Sequence, residues 1–141
     1  MKRESSSILP SGPPKSPIEV IFFDAAGTLI YLPESVGHHY SLVAARHGLH
    51  LDATRLDHAF RAAWKQMPPR EVTKMPRPDD DKGWWRILVA EVIKMQEISP
   101  EIQAALNFNA YFEDLYQHFA QPGVWQTYPD AFRTLSTLHQ P

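Results

Sequence analysis

The chain has 141 residues, 43% of them hydrophobic and 21% charged, the balance of one globular domain long enough to bury a core. A formal net charge of -2 gives no electrostatic case for nucleic acid or an anionic membrane, and no apolar run approaches the ~20 residues of a membrane span. With no cysteine, disulfides, thiolate metal sites and a cysteine nucleophile are all excluded.

In chain order, residues 1–17 are rich in Ser and Pro, have little to bury and read as a disordered leader. Their basic start is not followed by the apolar stretch of a secretory signal, and the compartment expected is the cytoplasm. Ile18 to Phe23 then form an almost wholly apolar run that ends on Asp24, and Gly27-Thr28 follow three residues later. Such a run reads as a buried parallel strand, with Asp24 at its carboxyl end, where open α/β sheets place their ligands. Gly27 permits a sharp turn whose N–H groups can cradle an anion. A carboxylate beside that turn suits a nucleophile facing a phosphoryl group, with a divalent cation between them. The plain alternative is an Asp that ends a buried strand and caps the next turn. Spacing alone does not choose between these.

Pro33 marks the exit from this segment. Ser35 is a candidate N-cap for a helix carrying Val36, Tyr40, Val43 and His47 at helical spacing, with Gly48 as its C-terminal cap. Asp52 can cap a second helix with Leu56, Ala59, Phe60, Ala63, Trp64 and Met67 on one face, and Pro68-Pro69 stop it. Residues 68–81 read as a long exposed loop, and Lys82 to Met95 as a third helix. Ser99-Pro100 opens a fourth helical stretch running past Phe108, Phe112, Leu115 and Phe119 to the breaker Gln121-Pro122-Gly123. Tyr128-Pro129-Asp130 then starts a last helix with Phe132, Leu135 and Leu138 aligned.

Other constellations read as structural. His38 and His39 diverge by about 100° on a helix, so they do not share a metal face and are expected at the surface. A view of one of them toward a substrate is the alternative. Asp79-Asp80-Asp81 lacks the spacing of a calcium loop and reads as a solvated cap for the next helix. Trp84 and Trp85 point different ways, one into the bundle and the other over an interface. Lys65 reads as a solvent-facing helix lysine.

Phe23-Asp24-Ala25-Ala26-Gly27-Thr28-Leu29 resembles the first motif of the haloacid dehalogenase (HAD) superfamily of hydrolases, Asp-x-Asp-Gly-Thr after a hydrophobic strand. The resemblance implies an α/β fold with a Rossmann-like core, a Mg2+ cofactor bound by Asp24 and the backbone carbonyl of Ala26, and Asp24 as nucleophile forming a covalent aspartyl intermediate. Gly27 and Thr28 would shape the anion-binding turn. The family's general acid has no counterpart, because Ala26 holds its position. Members without that acid include 2-haloacid dehalogenases and phosphonoacetaldehyde hydrolases, and the resemblance to the latter, which use a cap lysine as Schiff base, implies such a role for Lys65 only as a distant alternative.

One strand followed by helices matches the C1-capped HAD architecture, in which a helical bundle is inserted after the first motif. The expected division is 1–17 leader, 18–33 core strand with the motif, 34–124 helical cap and 125–141 return to the core. Tyr128-Pro129-Asp130 resembles the point of return, and Gly83-Trp84-Trp85-Arg86 is similar to dehalogenase-like members. The family's later Ser or Thr, Lys and carboxylates have no counterpart in this sequence. The expectation is therefore an N-terminal part of a longer hydrolase, core incomplete and inactive by itself. Its parent would be a Mg2+-dependent phosphatase-type hydrolase of a small phosphorylated metabolite. Carbon–halogen or phosphonate hydrolysis is the alternative within enzymes, and a non-catalytic helical interaction module the alternative outside them.

Overall fold

A computed structural model describes residues 18–70, 72, 74–76, 78 and 81–139. The expected leader, 1–17, and part of the expected loop, with Asp79 and Asp80, lie outside them. Six helices and one two-stranded ribbon are formed by the described residues, in the order β1 (Ile30–Tyr31), α1 (Val36–Arg46), α2 (Ala53–Gln66), α3 (Lys82–Lys94), α4 (Pro100–Ala105), α5 (Phe108–His118), β2 (Gln126–Thr127) and α6 (Ala131–Leu138). The architecture is mostly helical with a small sheet, in keeping with part of an α/β protein.

Local sequence sets most helix starts. Ser35 accepts from the His38 amide, Asp52 from that of Arg55 and Ser99 from that of Ile102, each satisfying an amide that the first turn leaves without a partner. Gly48 adopts φ 77° just past α1, the left-handed conformation that ends a helix without steric penalty. Asp81 does not cap α3 with its side chain; its carboxylate instead takes Arg70 at 2.9 Å.

Two expectations are corrected. The fourth helical stretch is two helices. Asn107 interrupts it, its side chain accepting from the Ala110 amide at 3.1 Å and so offering the backbone a fresh start. The larger correction concerns Ile18 to Phe23. This run is in no strand and is exposed, Phe22 to 93%, because among the described residues no second strand lies beside it to accept its ladder. The sheet forms further on, where Ile30 pairs with Thr127 and Tyr31 with Gln126 in antiparallel register.

The core lies between α1, α2, α3 and α5. α1 packs on α2 and α5, α2 on α3, and α3 on α5. Tyr40, Val43 and Ala44 of α1 meet Leu56, Ala59 and Ala63 of α2, Leu88, Val89, Val92 and Ile93 of α3, and Tyr111, Phe112 and Leu115 of α5, all buried. Three- and four-residue spacing puts each set on one face of its helix. Gly37 allows the tightest approach: a Cβ there would lie 2.0 Å from the Ala53 carbonyl oxygen of α2, and its amide donates to Asp57 Oδ1 at 2.7 Å. α6 stands apart, with Phe132 80% exposed and Leu135 and Leu138 also exposed.

Candidate functional site

Asp24 sits at the entrance to a compact turn. The Ala25 carbonyl accepts from the amides of Thr28, Leu29 and Ile30 at 3.2, 2.8 and 3.0 Å, and the Gly27 amide donates to the Ile30 carbonyl at 2.8 Å. Gly27 adopts φ 83°, a conformation that a side chain would strain. The Thr28 hydroxyl donates to Asp24 Oδ2 at 3.4 Å, so nucleophile candidate and turn residue are brought together. The amides of Gly27 and Thr28 are engaged within the turn. What Thr28 offers an anion beside Asp24 is therefore its hydroxyl, which can rotate to donate elsewhere. Asp24 and its turn are exposed.

The turn is tied to the bundle through the ribbon. Ile30, which receives the Gly27 amide, is also the first residue of β1. β2 returns the chain from α5, and the Tyr128 amide donates to the Leu29 carbonyl at 3.0 Å. The Tyr31 hydroxyl donates to Gln126 Oε1 at 2.9 Å, and the Tyr31 and Tyr128 rings lie 4.8 Å apart. Both strands joining the helices to the motif are thus fastened within two residues of it. The ribbon was not anticipated, since Gln126-Thr127 carries no apolar alternation.

Asp24 and the Ala26 carbonyl are hard oxygen donors of the kind Mg2+ takes with one or two carboxylates, water and substrate phosphate. The turn's hydrogen bonds fall on the carbonyls of Ala25 and Ile30, leaving that of Ala26 out of them. The pair fits Mg2+ chemically but does not close a site, for among the described residues no group of three or more His, Asp or Glu gathers around a point.

Elsewhere the bundle sorts the remaining candidates. Lys65 is exposed. Trp84 donates its indole N–H to the Pro68 carbonyl at 3.1 Å beneath the Arg70 guanidinium, while Trp85 turns inward to line a cavity. His38 is exposed as expected, but His39 is not a surface residue. It is buried, and its Nδ1 lies 2.9 Å from Nε2 of His118, also buried, so the two rings bridge α1 and α5. Burial lowers the pKa of each below 6.5, and their mutual proximity lowers that of His39 further. The pair went unseen because residues 79 apart in sequence leave no local trace. The available signal was periodicity: His39 falls four before Val43, and His118 three after Leu115.

The cavity has a volume of about 350 Å3 and lies among α1, α2, α3 and α5. Its walls include Tyr40, Trp85, Phe112 and Phe119, and it reaches Leu32 and Trp125, which flank the ribbon.

Comparison with known proteins adds a family context to this geometry. No family model matches the chain. It is similar to haloacid dehalogenase-like hydrolase domain-containing protein 3 from Bos taurus, 29% identical over 123 residues, which is 84% of this chain and 46% of the relative. The protein of the same name from Danio rerio is 28% identical over 124 residues, 86% of this chain and 49% of the relative. That from Homo sapiens is 26% identical over 119 residues, 84% and 46%. This likeness supports the haloacid dehalogenase superfamily. The chain spans about half the length of the curated relatives it matches.

Proposed function

We propose that this chain is the motif-bearing and helical part of a HAD-type hydrolase acting on a small phosphorylated metabolite, with Asp24 as nucleophile. The observation that carries the reading is the turn itself. One exposed carboxylate stands next to a hydroxyl that can rotate toward an anion, on a glycine-stabilised turn fastened to the helices. In the reaction, Asp24 attacks phosphorus, the ester oxygen leaves, and water then hydrolyses the aspartyl phosphate, returning the carboxylate. Mg2+ would supply charge neutralisation when bound, with Asp24 and the Ala26 carbonyl among its ligands. The rest of the site is proposed to come from the remainder of the protein. The 141-residue chain alone is expected to be inactive.

Ala26 favours a second reading. With no carboxyl at that position to protonate a leaving oxygen, a leaving group that needs no proton is served better, and halide from a 2-haloacid is one. A panel of phosphomonoesters, phosphonoacetaldehyde and 2-haloacids, assayed with and without Mg2+ on the whole protein, tests both readings. Phosphate release abolished by Asp24→Asn supports the first, and halide release abolished by the same change supports the second. Turnover that survives Asp24→Asn rejects the nucleophile in either case.

A further inference from the structure

We infer that the cavity inside the bundle is a binding site for an uncharged aromatic or alicyclic group, carried by the substrate of the reaction at Asp24. The substrate assignment rests on the hydrolase reading above; the cavity's ligand class does not. Seven of the eleven residues lining the cavity are aromatic and none is charged, which selects an apolar occupant and rejects a phosphate or sugar. Its volume of about 350 Å3 falls at the small end of ligand pockets.

The size of the cavity argues for a small molecule rather than a protein partner. Tyr40 of α1, Phe60 of α2, Trp85 of α3 and Phe112 of α5 contribute walls from four helices, and about 350 Å3 suits a small molecule rather than a peptide helix or strand. Its position ties it to the motif. Leu32 and Trp125 each lie one residue outside the ribbon, and Leu32 is two residues beyond Ile30, whose carbonyl takes the Gly27 amide. At about 3.4 Å per residue in a strand, the cavity begins about 7 Å along the chain from that bond. A substrate with an anionic end at Asp24 and an apolar end in the bundle matches this layout.

Fluorescence titration of the chain with N-phenyl-1-naphthylamine, an uncharged aromatic probe, tests the ligand class. The expected result is saturable one-to-one binding in the micromolar range. Ala120→Trp fills the cavity from an exposed position outside any helix, and Val36→Phe from a half-buried one. Each, shown by circular dichroism to keep its helices, is expected to weaken binding tenfold or more. The double variant Phe22→Ser/Phe132→Ser removes two of the most exposed aromatics and is expected to bind unchanged. Absence of saturable binding, indifference to both filling variants, or loss of binding in the Ser variant overturns the inference. Turnover decides the substrate assignment separately. In the whole protein, the ratio of kcat/KM for naphthyl phosphate to that for methyl phosphate is expected to fall tenfold in Ala120→Trp. An unchanged ratio rejects the assignment. Saturable binding without turnover of any ester rejects the hydrolase reading and leaves the cavity's ligand class standing.

Discussion

His39 Nδ1 lies 2.9 Å from His118 Nε2, joining the first and fifth helices through two buried imidazoles. One ring donates and the other accepts, so the accepting ring is neutral, and burial disfavours charge on either. Their outer nitrogens, His39 Nε2 and His118 Nδ1, have no hydrogen-bond partner among the described residues. Burial is the largest cause of the lowered pKa in each; His38 adds to it for both, His118 for His39 and Arg46 for His118, while Glu34 and Asp114 oppose.

The pH dependence follows from the sign of that shift. Each imidazole takes up a proton near pH 6.5 when unfolded and only at lower pH when folded. Stability from the neutral pair is fully present above the unfolded value and is lost as pH falls through the folded ones. The melting temperature should hold between about pH 8 and 7 and decline below about 6.5. In the double variant His39→Leu/His118→Leu the decline should shrink, because paired apolar replacement leaves no polar atom stranded. An undiminished decline in that variant would assign the effect to other groups.

The approach of α1 to α2 gives a second prediction. Gly37→Ala places a methyl 2.0 Å from the Ala53 carbonyl oxygen and 2.7 Å from the Asp57 amide nitrogen, both backbone atoms that move only with their helix. Overpacking of this kind costs about 1–3 kcal/mol, to be read from urea denaturation. A loss under about 0.5 kcal/mol, within the range of ordinary surface changes, would contradict the close approach.

What the sequence reveals and what it hides divides along physical lines. Ser35, Asp52 and Ser99 cap their helices as read, because capping needs only a side-chain oxygen and an amide three residues on. Asn107 breaks the fourth stretch by the same mechanism, yet it is masked in the sequence because Phe108, Phe112 and Phe119 continue the apolar spacing around it. The Ile18 to Phe23 pattern states which face seeks burial, not which strand will receive it, and the exposed run shows the difference. Gly37 and the two histidines depend on neighbours 20 and 79 residues away, beyond any local pattern. At the candidate site, the turn at Gly27 was legible from residue type, whereas the internal use of its amides required the backbone path.

The exposed run carries its own prediction. Ile18, Val20 and Phe22 are 75%, 65% and 93% exposed and offer unpaired backbone to any strand that approaches. Removing residues 1–30 should make the expressed chain less prone to aggregate without loss of helical circular dichroism. Hydrogen exchange in monomer should be fast over 18–23 and slow in the helices built on Val43, Leu56, Leu88 and Leu115. Slow exchange over that run in a clean monomer would mean it has found a partner within the chain.

Ala26 yields a test of the chemistry. In the whole protein, Ala26→Asp introduces a carboxyl two residues after the proposed nucleophile. Where the leaving oxygen needs a proton, phosphomonoester hydrolysis should rise by about 10²–10⁴-fold, the usual worth of general acid assistance. No rise, in a variant with unchanged helical content, would assign proton donation to another group or remove phosphomonoesters from the substrates.

The central claim is that Asp24 is the nucleophile, and covalent marking of that residue during turnover tests it whichever group leaves. In a single turnover in heavy-oxygen water, hydrolysis of an aspartyl intermediate at its carbonyl carbon leaves label in the carboxylate, and hydrolysis at phosphorus does not. Haloacid turnover is therefore followed by mass spectrometry of the Asp24 peptide. Phosphoester turnover is followed by borohydride trapping, which reduces the acyl phosphate at that residue. Modification confined to Asp24, and absent from Asp24→Asn, is the predicted result; turnover that leaves Asp24 unmodified in both experiments would contradict it.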